Sequence, residues 1–269
     1  MKPVCVITGG GSGMGFAAAK RMGQRGYHLI LASRNAAKLQ TAVKELTALG
    51  CAAEAASCDI GDEASVEALA KTAAERGPVQ VVLHIAGLSP HMGDAEKIMS
   101  ANALGTIYMH GAFYPVLEAG GCLVDTSSIS AYLAPEFIMP RRTFALAMTD
   151  PKRLQQKLLA RVGLIPKAHR PGLAYAISKY FVIWYAQKDA ARFGAKGARV
   201  VCIVPGNFET PMGELEKADA EKYLRYNALP RFGQPDEIAA LFAAVSDPAM
   251  GYLTGCAILC DGGCVGGRR

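Results

Sequence analysis

The sequence predicts an α/β protein built on a doubly wound parallel sheet. Three observations carry that expectation. An apolar run, Val4-Cys5-Val6-Ile7, leads straight into a glycine-rich loop, Thr8 to Gly15, and then into a helix-forming segment. Short apolar runs then alternate with longer helical ones through the first half of the chain. With 269 residues, 51% hydrophobic and 19% charged, the chain fits one domain with a large buried core.

Taken in order, the first strand, loop and helix (Phe16 to Arg25) aim backbone N–H groups and a helix N-terminus at a pyrophosphate. Glycine lets the backbone approach such a ligand without Cβ clashes. Thr8, Gly9, Gly11, Ser12, Gly13, Met14 and Gly15 are therefore candidate cofactor-binding residues. The second strand, His28 to Ala32, ends at Ser33-Arg34, where a ribose-reading residue is expected about 20 residues past the loop. A carboxylate there would suit the ribose 2′-hydroxyl of NAD(H) and repel a 2′-phosphate. A neutral Ser33 followed by the Arg34 guanidinium predicts NADP(H) instead. The competing reading of Arg34 is a merely solvated side chain.

The alternation continues with a helix from Ala36 to Leu49 and a strand from Ala52 to Ala56 that leads to Cys58-Asp59-Ile60. A helix from Glu63 to Glu75 precedes a strand from Val79 to Ile85, which ends in Ala86-Gly87. Ala95 to Leu117 reads as mostly helical and includes Asn102. Gly121 to Asp125 reads as a strand ending in Thr126-Ser127-Ser128.

Tyr175 and Lys179 are four residues apart, which places both on one face of a helix. A cation beside a phenol favours the phenolate, so the pair suits proton transfer to or from an alcohol or ketone. Alone, such a pair is ordinary helix surface. The surrounding motifs change that reading. Thr8 to Gly15 has T-G-x-x-x-G-x-G spacing, and Asn102, Ser128, Tyr175 and Lys179 follow in that order. Pro205-Gly206 precedes Thr210, and Arg231 to Ile238 and Asp261-Gly262-Gly263 close the series.

Over nearly its whole length the chain resembles the short-chain dehydrogenases/reductases in their single-domain, Rossmann-like form. The resemblance implies a catalytic set of Asn102, Ser128, Tyr175 and Lys179. Tyr175 would transfer the proton, Ser128 would hold the substrate oxygen, Lys179 would lower the phenol pKa and bind the nicotinamide ribose, and Asn102 would hold a water. It also implies cofactor contacts at Cys58, Asp59 and Ile60, at Ala86 and Gly87, at Tyr175 and Lys179, and at Pro205, Gly206, Phe208 and Thr210. His84-Ile85-Ala86-Gly87 stands where the family has Asn-Asn-Ala-Gly. The family's Asn bridge between central strands is therefore not carried over.

Ser128 and Tyr175 are separated by 47 residues, more than the family's usual loop, so 131–172 reads as an insertion. Asp150-Pro151 looks like a helix start, with Leu154, Leu158, Leu159 and Val162 as its apolar stripe and Gly163 as its stop. The insertion holds eight basic and two acidic residues, so it carries all of the chain's formal +6. Both its ends are pinned beside the reaction centre. We therefore expect a substrate lid whose charge favours a distant anionic group, the alternative being a solvated helix face or a contact with a neighbouring subunit. An insertion at this point resembles the bacterial 3α-hydroxysteroid dehydrogenase/carbonyl reductase branch, which implies a steroid or bile-acid alcohol. Reduction of other carbonyl compounds and non-catalytic NADP(H) binding as a scaffold or sensor are the alternatives.

The resemblance also implies a homo-oligomer, tetramer or dimer, joined through helices after the fourth and fifth strands and near the C-terminus. The eight cysteines show neither disulfide nor metal spacing, so no metal and a cytoplasmic location are expected. No apolar run is long enough for a membrane span, the N-terminus has no signal-peptide pattern, and the basic residues match no nucleic-acid motif.

Overall fold

The computed structural model describes residues 1–268. Among these residues, seven parallel strands form one sheet in the order β3-β2-β1-β4-β5-β6-β7. They are β1 (Val4–Thr8), β2 (His28–Ser33), β3 (Ala53–Ser57), β4 (Val79–His84), β5 (Leu117–Thr126), β6 (Arg199–Pro205) and β7 (Cys256–Cys260). Every residue of β1 and β6 is buried. A parallel sheet is covered on both faces, which is why these strands are continuous apolar runs. One core packs Val4, Val6, Val82 and Leu123 against the helices of one face. The other packs Cys5, Ile7, Leu83 and Val124 against those of the opposite face.

The helices of the first half are α1 (Gly13–Gln24), α2 (Ala36–Ala48), α3 (Glu63–Arg76), α4 (Ala95–Met99) and α5 (Gly105–Phe113). A π-helical turn, Ser100–Leu104, joins α4 to α5. Asn35 caps α2 by accepting from the Lys38 N–H, and Asp94 caps α4 by accepting from the Lys97 N–H. The helix expected to reach Leu117 stops at Phe113, because Pro115 cannot continue it. Leu117 instead opens β5, opposite Val79.

The insertion contributes α6 (Ser130–Leu133), α7 (Arg141–Phe144) and α8 (Pro151–Val162). Asp150 caps α8 as expected, and Leu154, Leu158 and Val162 are buried. α9 (Arg170–Gly194) follows and carries Tyr175 and Lys179. The second half adds α10 (Pro211–Leu224) and α11 (Pro235–Val245). No helix among the described residues is long and apolar enough to cross a membrane.

Candidate active site

Strand order reverses between β1 and β4, and at such a switch point a crevice opens beyond the strands' C-terminal ends. A cavity of about 770 Å³ lies there. It runs from the glycine loop, past Ser33, Arg34 and Cys58 to Ile60, to Ser128, Tyr175 and Lys179, and on to α10.

At the glycine-loop end, Ser12 precedes α1 in extended conformation and makes no side-chain capping bond. The N-terminus of α1 is thereby left for an anion. Gly13 has φ +54°, and a Cβ at Gly15 would lie 2.3 Å from the Gly9 carbonyl oxygen. Only glycine allows this close turn, and the resulting cradle fits a pyrophosphate. Arg34 lies at the far end in a solvent-exposed ion pair with Asp59 at 3.7 Å.

Two residues of the predicted loop set do not line the cavity. Thr8 is fully buried, and its hydroxyl oxygen accepts from the Ile85 and Ala86 N–H groups at 3.0 and 3.1 Å. Gly11 faces the backbone of Lys38 on α2. Thr8 also bonds His84 Nδ1 at 3.1 Å across β1 and β4, so the bridge between the central strands is made by histidine. His84 Nε2 faces the Thr106 hydroxyl at 3.5 Å, and that hydroxyl donates to the Asn102 carbonyl at 2.8 Å. Burial holds the His84 pKa down at about 4, so the ring is neutral. The Thr8 hydroxyl, already accepting twice, donates to Nδ1, which leaves the proton on Nε2.

Asn102 sits behind the cavity wall in the π-helical turn. Its Oδ1 accepts from the Leu88 N–H at 2.8 Å, and its Nδ2 donates to the Leu88 carbonyl at 2.9 Å and the Ser178 hydroxyl at 3.2 Å. A Cβ on Gly87 would lie 3.0 Å from Asn102 Oδ1 and 3.2 Å from Lys179 Nζ, so both groups converge behind that glycine.

Ser128, Tyr175 and Lys179 meet on the cavity wall. Burial pushes the Tyr175 phenol above its usual pKa, Glu216 pushes it further, and a hydrogen bond with the Ser128 hydroxyl pulls it back. Lys179 lies beside Tyr175 on the same wall. Its Nζ donates to the Thr126 carbonyl at 2.9 Å and lies 5.8 Å from the Tyr175 ring centroid. Burial brings the Lys179 pKa down to about 8.

The insertion is not the cover of this cavity. None of the residues 131–172 lines it; the covering segment is α10, through Met212, Glu216 and Ala220, together with Met92 and Phe232. The insertion packs elsewhere because its apolar stripe is used on α4 and α9. The expected anionic preference loses its basis for the same reason, since none of the insertion's basic residues is in the lining, whose charged groups are of both signs. Sequence reading missed α10 because no periodic pattern marks it as substrate-facing. Its position directly after the Pro205 to Thr210 loop was the available signal.

Comparison with known proteins gives the family of this fold. A short chain dehydrogenase family model matches residues 3–139, about half of the chain. The chain belongs to the short-chain dehydrogenase/reductase family. An enoyl-(acyl carrier protein) reductase model of the same kind matches residues 160–265, so residues 140–159, inside the insertion, fall between the two. The short-chain dehydrogenase/reductase bsc3 of Alternaria brassicicola is 29% identical over 263 residues, covering 96% of this chain and 94% of that relative. Dehydrogenase/reductase SDR family member 4 of Oryctolagus cuniculus is 25% identical, covering 97% and 92%. A short chain dehydrogenase from Burkholderia cenocepacia, solved in complex with NADP, superposes with a TM-score of 0.78 at 25% identity and covers 97% of each chain. The family is one of oxidoreductases, and the present chain has its nicotinamide-binding fold.

Proposed function

We propose that this family member interconverts a secondary alcohol and a ketone with NADP(H) in preference to NAD(H). One observation carries the reading: the Ser128 hydroxyl and the Tyr175 phenol face each other, above Lys179, on the wall of a cleft continuous with the glycine loop. In the reductive direction the substrate oxygen accepts from both hydroxyls, and Tyr175 delivers its proton as the carbonyl becomes an alkoxide. Bound NADP(H) supplies or takes up the hydride. The Lys179 ammonium, held by Thr126, favours the phenolate that remains and would hold the nicotinamide ribose. Asn102 uses its side chain to fix Leu88 beside the cleft.

Arg34 supports the cofactor preference, because its exposed guanidinium can leave Asp59 for a 2′-phosphate. Leu88, Met92, Met212 and Phe232 give the substrate end an apolar lining, which supports a large apolar alcohol or ketone. Steroids are the class of that kind to which the sequence resemblance leads. Eight unpaired thiols support a cytoplasmic location.

The test is Tyr175→Phe, assayed by absorbance of the reduced nicotinamide against a panel of ketones and alcohols. Turnover is expected to fall by roughly 10²–10⁴, the scale for losing an acid/base group, with NADPH binding retained. Near-wild-type rates in the variant would sink the assignment. NADPH binding without turnover of any panel member by the wild type would favour a scaffold or sensor.

A further inference from the structure

Glu216 is the group in the cavity that the proposed chemistry leaves without a task. It lies on α10, half-buried, and its charge acts on both Tyr175 and Lys179, so it belongs to the reaction chamber. Lys179 and His91 favour its charge from a distance, and the nearby cations are ion-paired to other carboxylates. Lys217 pairs with Glu214 at 3.2 Å, Lys222 pairs with Asp219 at 2.7 Å, and His91 lies 3.7 Å from Asp219. Among the described residues no ion pair reaches Glu216. Behind it stands Ser89, fully buried, with a hydroxyl that has no partner at normal hydrogen-bond distance yet is near enough to favour the Glu216 charge. A partly desolvated carboxylate with no ion pair gains from each further donor that reaches it, and the buried Ser89 hydroxyl behind it gains when that carboxylate is held in place.

We propose that Glu216, backed by Ser89, is a recognition site for a hydrogen-bond donor on the substrate, a hydroxyl or an ammonium carried away from the reacting carbonyl. The inference rests on the reductase reading above and narrows its substrate class. A purely apolar ketone leaves the carboxylate unsatisfied. An anionic one meets the unpaired Glu216 carboxylate, while Lys217 on the same wall is already held by Glu214. A second hydroxyl or an amine supplies the missing donor, and a charged acceptor strengthens that bond. Sites built around a buried polar group discriminate strongly, because the wrong substrate leaves that group unpaired.

The test uses four cyclohexanones substituted opposite the carbonyl by hydroxyl, aminomethyl, methyl or carboxylate. Wild type, Glu216→Gln and Glu216→Leu are compared by the ratio of kcat/KM for each ketone to that for the methyl ketone. The hydroxyl and ammonium ratios are expected to fall roughly ten- to hundredfold in Glu216→Leu, the scale of one charge-assisted hydrogen bond. Glu216→Gln should keep part of the hydroxyl preference, through its remaining carbonyl oxygen, and lose the ammonium preference. The carboxylate ratio should rise in both variants. Ratios that do not change overturn the proposal. So does a variant that weakens NADPH binding and leaves the ratios alone, since the donor would then be the nicotinamide amide. If wild type binds NADPH but reduces none of the four, the preference is read from saturation-transfer NMR of the corresponding alcohols with the NADP⁺ complex. Equal binding of those alcohols by wild type and Glu216→Leu then overturns it, whatever becomes of the reductase reading.

Discussion

His84 shows how a single residue can keep a structural task while changing its chemistry. The sequence motif lacks the family's asparagines, so the asparagine bridge between the central strands was not expected. The imidazole nevertheless spans from Thr8 to Thr106, because its two ring nitrogens offer one acceptor and one donor that point in widely divergent directions. The expectation for Arg34 rests on charge complementarity to a phosphate, which needs no knowledge of packing. Replacing Arg34 by Ala removes a charge-assisted contact worth roughly 1.5–3 kcal/mol. The Kd for NADPH, measured by fluorescence titration, should rise accordingly while that for NADH changes little. An equal loss for both cofactors would contradict the assignment. Lys179 yields a pH prediction of definite sign. Its pKa is lowered from 10.5 to about 8 by burial, so between these values the unfolded chain binds more protons than the folded one, and stability rises with pH. Below about 8 the full cost of the buried ammonium is present. Lys179→Met, free of cofactor, should therefore be more stable than wild type at neutral pH, by on the order of 2–3 kcal/mol. The gap in Tm should close as pH approaches 10.5. A variant less stable at pH 7 would refute this account.

Elements were most legible where one physical rule decides them. The helix start at Asp150-Pro151 needs only a capping carboxylate and a ring-fixed φ, and α8 begins there. The role of the insertion was not legible, because chain ends near the reaction centre do not say which way the segment folds. Its apolar side chains answer that question. Phe144 is fully buried, edge-on to Phe181 at 5.2 Å and tilted against Trp184 at 5.6 Å, both on α9. Truncating Phe144 to Ala should cost about 3–5 kcal/mol in denaturant unfolding, the range for emptying a buried aromatic site. KM should change little, since Phe144 is remote from the cavity lining. Met212→Ala on α10 should do the reverse, raising KM for bulky ketones with a small loss of stability. A large KM change from Phe144→Ala at intact stability would restore the lid reading. The same interior holds His110 between Asp125 and Asp189, each at 2.8 Å, with Arg192 on Asp189 at 2.6 Å. Burial opposes the imidazolium, but the two carboxylates outweigh it and hold its pKa up at about 9. This contribution to stability is full below pH 6.5 and is lost as pH rises through about 9. His110→Gln should therefore be more destabilising at pH 6 than at pH 10, and the opposite order would exclude an imidazolium.

At the scale of the molecule, the alternation of strands and helices was enough to predict a doubly wound sheet, since few topologies bury such runs on both faces. The surfaces left for a second copy could not be read that way, because they depend on what the insertion covers. α8 packs on α4 and α9, which closes part of the helical face through which the family resemblance implied assembly. The opposite edge of the molecule remains open. β7 ends the sheet beside β6, with Leu259 at 44% exposure, and the preceding segment carries a fully exposed Tyr252 and Met250 at 45%. An unpaired edge strand with apolar side chains is a surface that proteins usually cover. A homodimer joined along β7 is therefore the expected assembly, rather than a tetramer using both faces. Sedimentation velocity at micromolar concentration should give a dimer, and Leu259→Glu should shift it toward monomer because each copy would bring a charge to the shared edge. A tetramer would mean that the α9 face still pairs despite the insertion, and a wild-type monomer would mean that the β7 edge is shielded in another way.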